Sequence, residues 1–119
     1  MVDLKQRTKK FAIDVIRFCS TLPRRREFDI IAGQLTRSAT SLGANYRAAL
    51  RGRSSKEFIA KLGICEEEAD ESLYWLELLE ALATKEHSEL TRLMDEANQL
   101  VAIIVASKKR ARVPDRAVL

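Results

Sequence analysis

The sequence predicts an all-α protein, an antiparallel up-down-up-down four-helix bundle, on three observations. Four apolar stripes run at heptad spacing, the breaks between them are short, and turn-forming residues are scarce. Only four Gly and two Pro occur in 119 residues. Hydrophobic residues make up 46% and charged residues 32%, the balance of a globular chain with one core.

The first stripe is Leu4, Thr8, Phe11, Val15, Phe18 and Leu22. The second is Phe28, Ile31, Leu35, Ser38, Leu42, Asn45 and Ala49. The third is Phe58, Leu62, Cys65, Ala69, Ser72, Leu76, Leu79 and Ala83, and the fourth is Leu90, Leu93, Ala97, Leu100 and Ile104. Steps of three and four residues place each set along one side of a helix, as bundle packing requires.

The breaks agree with the stripes. Pro23 closes helix 1, because a residue before proline avoids helical geometry. Gly52 closes helix 2. Ser54 and Glu57 form a capping box for helix 3, and Ser88 reads as the N-cap of helix 4. Short connections make sequential helices antiparallel neighbours, and the four rods are expected to be of equal length. The bundle is assigned to residues 1–111 and a C-terminal tail to residues 112–119.

Helix 2 carries two polar stripe positions, Ser38 and Asn45, and many small residues, namely Gly33, Ala39, Ser41, Gly43, Ala44 and Ala48. The polar pair reads as structural, with Asn45 bonded inside the bundle and fixing register. The small residues read as close helix approach. Ile13, Ile16, Tyr74, Trp75 and Leu78 fall off the stripes, and surplus apolar surface marks interfaces. These five are the expected contact between copies of the chain.

Charge is distributed unevenly. The net charge is +4. The predicted topology brings the N-terminus, the second loop and the C-terminus to one pole. That pole gathers Lys5, Arg7, Lys9, Lys10, Arg47, Arg51, Arg53, Lys56, Lys108, Lys109, Arg110, Arg112 and Arg116, against Asp3, Glu57 and Asp115. One reading is a solvated face. The other is a phosphate-binding surface centred on Lys9, Lys10, Arg47, Arg51, Arg53, Lys56, Lys108, Lys109, Arg110 and Arg112. Helix 3 carries the opposite sign in Glu66, Glu67, Glu68, Asp70, Glu71, Glu77 and Glu80.

Catalytic patterns are missing. The one histidine, His87, has Thr84 where a Glu-x-x-His metal motif needs glutamate. Cys19 and Cys65 lie on apolar faces without zinc-ligand spacing and read as buried hydrophobes, not a disulfide. No enzyme activity, cofactor or metal is expected. No apolar run approaches the ~20 residues of a membrane span, and the N-terminus lacks a secretory core, so a cytoplasmic location is expected.

The stretch Gln34-Leu35-Thr36-Arg37-Ser38-Ala39-Thr40-Ser41-Leu42-Gly43-Ala44-Asn45 resembles a bacterial family, the four-helix-bundle proteins of 23S rRNA intervening sequences. Ser54-Ser55-Lys56-Glu57-Phe58-Ile59-Ala60-Lys61-Leu62 is similar to that family's entry into helix 3, and the likeness spans residues 10–108. The resemblance implies an up-down bundle, typically a pentamer. A related branch serves diversity-generating retroelements as a basic ring working with a reverse transcriptase and nucleic acid. The chain departs from the pattern at Tyr46-Arg47-Ala48-Ala49, where many members read Ile-Ala-Glu-Gly, and at Trp75, where glutamate is common.

Two functions follow. One is a non-enzymatic oligomeric accessory protein that binds RNA or DNA through the basic pole. The other is a scaffold oligomer whose partner is a protein, met through the acidic helix 3 or the Trp75 region.

Overall fold

A computed structural model describes residues 3–112. Four helices follow in order: α1 (Leu4–Cys19), α2 (Arg26–Leu50), α3 (Ser55–Leu82) and α4 (Ser88–Arg112). Their lengths are 16, 25, 28 and 25 residues, so the rods are not equal. α1 is the short one. It stops at Cys19 because Ser20, Thr21 and Leu22 turn back onto the Ile16, Phe18 and Cys19 carbonyls before Pro23 is reached.

Cross-helix pairs run in opposite directions along neighbouring helices. Arg7 meets Glu96 while Asp14 meets Arg92. Gly43 lies against Thr8, and Cys19 reaches Ala32. Arg37 pairs with Glu68 and Leu42 accepts from the Cys65 thiol. Each helix is therefore antiparallel to the one beside it.

The predicted stripes form the core. Phe11, Val15, Leu35, Leu42, Leu62, Leu76, Leu93, Leu100 and Ile104 are essentially sealed from solvent. Burial of that many large aliphatic groups, each worth about 1.5–3 kcal/mol, drives assembly. Four stripe positions are not sealed: Leu22, Asn45 and Phe58 are half-buried and Ala83 is exposed.

The polar core positions are satisfied. Each serine carries one hydroxyl proton. The two hydroxyls are hydrogen-bonded to each other at 2.8 Å, and each also reaches a carbonyl of its own helix, Ser38 that of Leu35 at 3.2 Å and Ser72 that of Glu68 at 2.8 Å. This bond ties α2 to α3. Asn45 does not: its amide turns back onto Ser41 of its own helix, at 2.9 Å to the carbonyl and 3.0 Å to the hydroxyl. The register lock expected of Asn45 is supplied by the Ser38–Ser72 pair.

Close helix approach holds for part of the small-residue set. Ala39 is buried and Gly43 packs on Thr8, but Gly33 and Ala44 face outward. Gly52 needs its missing Cβ for space and not for a left-handed turn, since no described glycine has positive φ. A Cβ there would stand 3.1 Å from the Ala49 carbonyl oxygen and 3.3 Å from the Phe58 nitrogen.

Candidate nucleic-acid interface

Residue pairing fixes how far each helix reaches at the basic end. Lys108 lies level with Glu66. From there α3 continues eleven residues back to Ser55, whereas α4 continues four to Arg112. The difference of seven residues is about 10 Å of helix. On the other side, Thr8 lies level with Gly43; α1 has four residues left and α2 has seven. Among the described residues the α2–α3 hairpin therefore reaches past α1 and α4, and residues 51–57 are all exposed.

The projecting tip closes its own backbone. Ser54, in extended geometry, caps α3 by accepting from the Glu57 N–H at 3.2 Å. The Glu57 carboxylate returns to the Arg53 N–H, one residue earlier than a reciprocal capping box would place it. The Asp3 carboxylate caps α1 on the Gln6 N–H at 3.1 Å. At the far end Ser88 is the first residue of α4; the helix begins from the His87 carbonyl, which accepts the Thr91 N–H. Each of the two helix N-termini at the basic pole thus has one first-turn amide capped by its own side chain.

The ten expected phosphate contacts divide into two groups. Lys10 is held by Asp14 at 2.6 Å, and Lys108 is half-buried against Glu66 at 2.8 Å. Both charges are internally neutralised. Lys9, Arg47, Arg51, Arg53, Lys56, Lys109, Arg110 and Arg112 are exposed and join no ion pair among the described residues. Arg110 only touches the Ser107 hydroxyl, at 3.2 Å. Arg116 and the tail from 113 onward lie outside the described residues. Arg112, expected to open that tail, ends α4.

Several cations elsewhere are spent on the bundle, although Arg17, Arg24, Arg26, Lys61 and Lys85 join no ion pair among the described residues. Arg92 bridges Asp14 and Glu89 between α4 and α1. Burial opposes ionisation of Asp14, but the hydrogen bonds of Lys10 and Arg92 outweigh it and hold the carboxyl below its usual range. Arg37 of α2 grips Glu68 and Glu71 of α3, and that grip lowers Glu71. The acidic run of helix 3 is thus partly consumed within the fold. Glu67, Asp70, Glu77 and Glu80 remain exposed and unpaired among the described residues.

The five expected contact residues also divide. Ile13, Ile16 and Tyr74 are exposed, the last two at 48% and 51%. Trp75 and Leu78 are half-buried against the core, and the Trp75 indole N–H points to the Glu71 carboxylate at 3.4 Å. Ile30, Leu50, Ile64 and Leu82 are exposed as well and were missed by the stripe count. They sit beside the stripes, so spacing alone files them with the core.

Burial pushes the Cys65 thiol up to about 12, and it raises Cys19 too, so both stay protonated near neutral pH. No helix of the described residues is long and apolar enough to cross a membrane.

A model of the 23S rRNA-intervening sequence protein family matches residues 2–106. The chain belongs to that family. No curated protein matches it at a significant level. Among solved structures, a protein of unknown function from the S23 ribosomal protein family of Bacteroides thetaiotaomicron matches with a TM-score of 0.82 and 28% identity. The match covers 90% of this chain and 99% of that one. The four-helix bundle of this 23S rRNA-intervening sequence protein is therefore shared along nearly the whole length of that relative.

Proposed function

We propose that the protein is a non-enzymatic oligomeric accessory protein of the cytoplasm that binds RNA or DNA through the projecting α2–α3 tip and the ends of α1 and α4. The observation that carries this reading is the local excess of free cations: Arg47, Arg51, Arg53 and Lys56 at the tip are exposed, join no ion pair among the described residues and have Glu57 as the one acid between positions 47 and 57, whereas Arg7, Arg37 and Arg92 along the bundle are held by carboxylates. Flexible cations without partners attract phosphate without reading sequence.

Binding to a labelled RNA is expected to weaken about 50-fold between 50 and 200 mM salt if roughly four phosphates are contacted. Replacing Arg51, Arg53 and Lys56 together by Glu is expected to abolish it. Unchanged affinity in that variant would overturn the reading.

Self-association is part of the proposal, with the exposed Ile13, Ile16 and Tyr74 side chains covered by another copy and a pentamer as the expected size. A monomeric mass by light scattering at micromolar concentration would exclude it. The exposed Glu67, Asp70 and Glu77 around Tyr74 favour a second reading, a scaffold that meets a basic protein partner. That reading requires no nucleic-acid binding at physiological salt and a capture that is lost on reversing those three acids.

A further inference from the structure

The tip is concave as well as charged. Two shallow grooves, about 320 Å³ and about 400 Å³, meet at Ala48 and Arg51. The floor of the first is small and aliphatic, built from Ala48 of α2 and Ala60 and Ile64 of α3, and Ile64 is 37% exposed. Arg47, Arg51 and Arg53 stand along the two grooves. Glu57 is the one acid on either lining, and its carboxylate is engaged by the Arg53 N–H. An anion therefore meets a mainly positive rim, with Glu57 as its one negative charge, around an apolar floor.

A duplex presents only its phosphates to such a surface and leaves the floor wet. An unpaired nucleotide presents both a phosphate and the flat face of a base. Bases stack on guanidinium planes as well as on apolar side chains. Arg47 and Arg51 are one helical turn apart on the same side of α2, about 6 Å along the axis, so both reach the groove mouth.

We propose that the α2–α3 tip selects single-stranded nucleic acid, an unpaired base lying on the Ala48–Ala60–Ile64 floor while Arg47, Arg51 and Arg53 take the adjoining phosphates. This rests on the nucleic-acid reading above and narrows it from any phosphate backbone to unpaired strands.

The test compares a short labelled RNA with the duplex it forms with its complement, by fluorescence anisotropy at about 50 mM salt. The single strand is expected to bind about tenfold tighter. Ala48→Leu and Ala60→Leu fill the floor without altering charge, at positions that are not buried. Each is expected to weaken the single strand about fivefold and leave the duplex unchanged. Arg51→Lys keeps the charge but removes the flat guanidinium, and the same selective loss is expected. Equal binding of the two probes, or floor variants that bind the single strand as the parent does, would overturn the proposal. If the triple reversal to Glu still abolishes binding in that case, the charged pole stands without the base site. If the parent protein binds neither probe, the nucleic-acid reading itself fails.

Discussion

The two ends of the bundle differ in the balance of their charges. At the basic end, residues 3–10, 47–57 and 108–112 hold twelve basic against two acidic side chains. At the other end, residues 20–29 and 80–89 hold four basic against five acidic. The Arg24-Arg25-Arg26 run at that second end looks as basic as anything in the sequence. Yet Arg25 pairs with Glu27 and lies 5.0 Å over the Phe28 ring, a cation–π contact that also covers apolar surface. The His87 ring stands edge-on to Phe18, with centroids 5.1 Å apart. A small apolar recess of about 140 Å³ remains between Phe18, Leu22, Phe28, Leu79 and Leu90. Arg24, Arg26 and Lys85 at that end stay exposed and join no ion pair among the described residues, and a wider recess of about 770 Å³ opens between Glu80 and Thr91. The excess of basic over acidic side chains, more than the lack of partners, therefore distinguishes the basic end as a surface for an anion.

The sharpest way to break this comparison is to separate folding from binding. Leu35→Ala or Leu93→Ala removes a sealed core side chain and is expected to cost about 2–5 kcal/mol in urea unfolding. Reversing Arg51, Arg53 and Lys56 to Glu is expected to change stability by less than about 0.5 kcal/mol per site while eliminating RNA binding. A tip variant that unfolds as readily as a core variant would deny the separation.

The next effect is alkaline. The Cys65 thiol is raised from an ordinary value near 9 to about 12 by burial. Above pH 9 the unfolded chain releases this proton while the folded chain keeps it. Stability is therefore complete below about pH 9 and falls as pH rises toward 12, by about 1.4 kcal/mol per unit. Denaturation at pH 8 and pH 10 is expected to show this loss in the parent protein and a smaller one in Cys65→Val.

Smaller effects probe the neutralised middle of the bundle. Asp14→Asn breaks the link to Arg92 and Lys10 and is expected to cost about 0.5–1 kcal/mol at neutral pH. Because the Asp14 carboxyl is lowered, its contribution is present above the usual carboxylate range and disappears as pH falls through it. The difference between parent and variant should therefore shrink in acid. Last, Gly33 sits in mid-helix with open space where a Cβ would be. Gly33→Ala is expected to add about 0.5–1 kcal/mol to an isolated bundle. A loss instead would mean that another copy packs closely on that face.

The helices and the core were legible in the sequence because both depend on local spacing, which a heptad count measures directly. All five stripe positions of α4, from Leu90 to Ile104, are buried as read. What spacing cannot supply is register between helices. Ser38 and Ser72 each stand on a predicted stripe, but their bond exists only because α3 runs past α2 at one offset. The offset of α4 along α3 likewise decides that Lys108 meets Glu66 and leaves the set expected to contact phosphate. Lys10 differs: Asp14 stands one turn away on the same helix, so that pairing was visible at the i, i+4 step. The groove at Ala48, Ala60 and Ile64 lay beyond reach, because it joins two helices whose relative height is set by the core.

The overhang of the α2–α3 tip has an evolutionary consequence. The side chains of Arg51, Arg53, Ser55 and Lys56 are exposed and take no part in the core, so selection on them is largely released from selection on folding, whereas Gly52, Ser54 and Glu57 stay tied to it by the steric limit and the cap. Within such a family, lineages can vary those few side chains while inheriting the rest of the scaffold intact. In the departure at Tyr46-Arg47-Ala48-Ala49 only Arg47 shares that freedom fully, since Tyr46 packs against the core and Ala49 is buried.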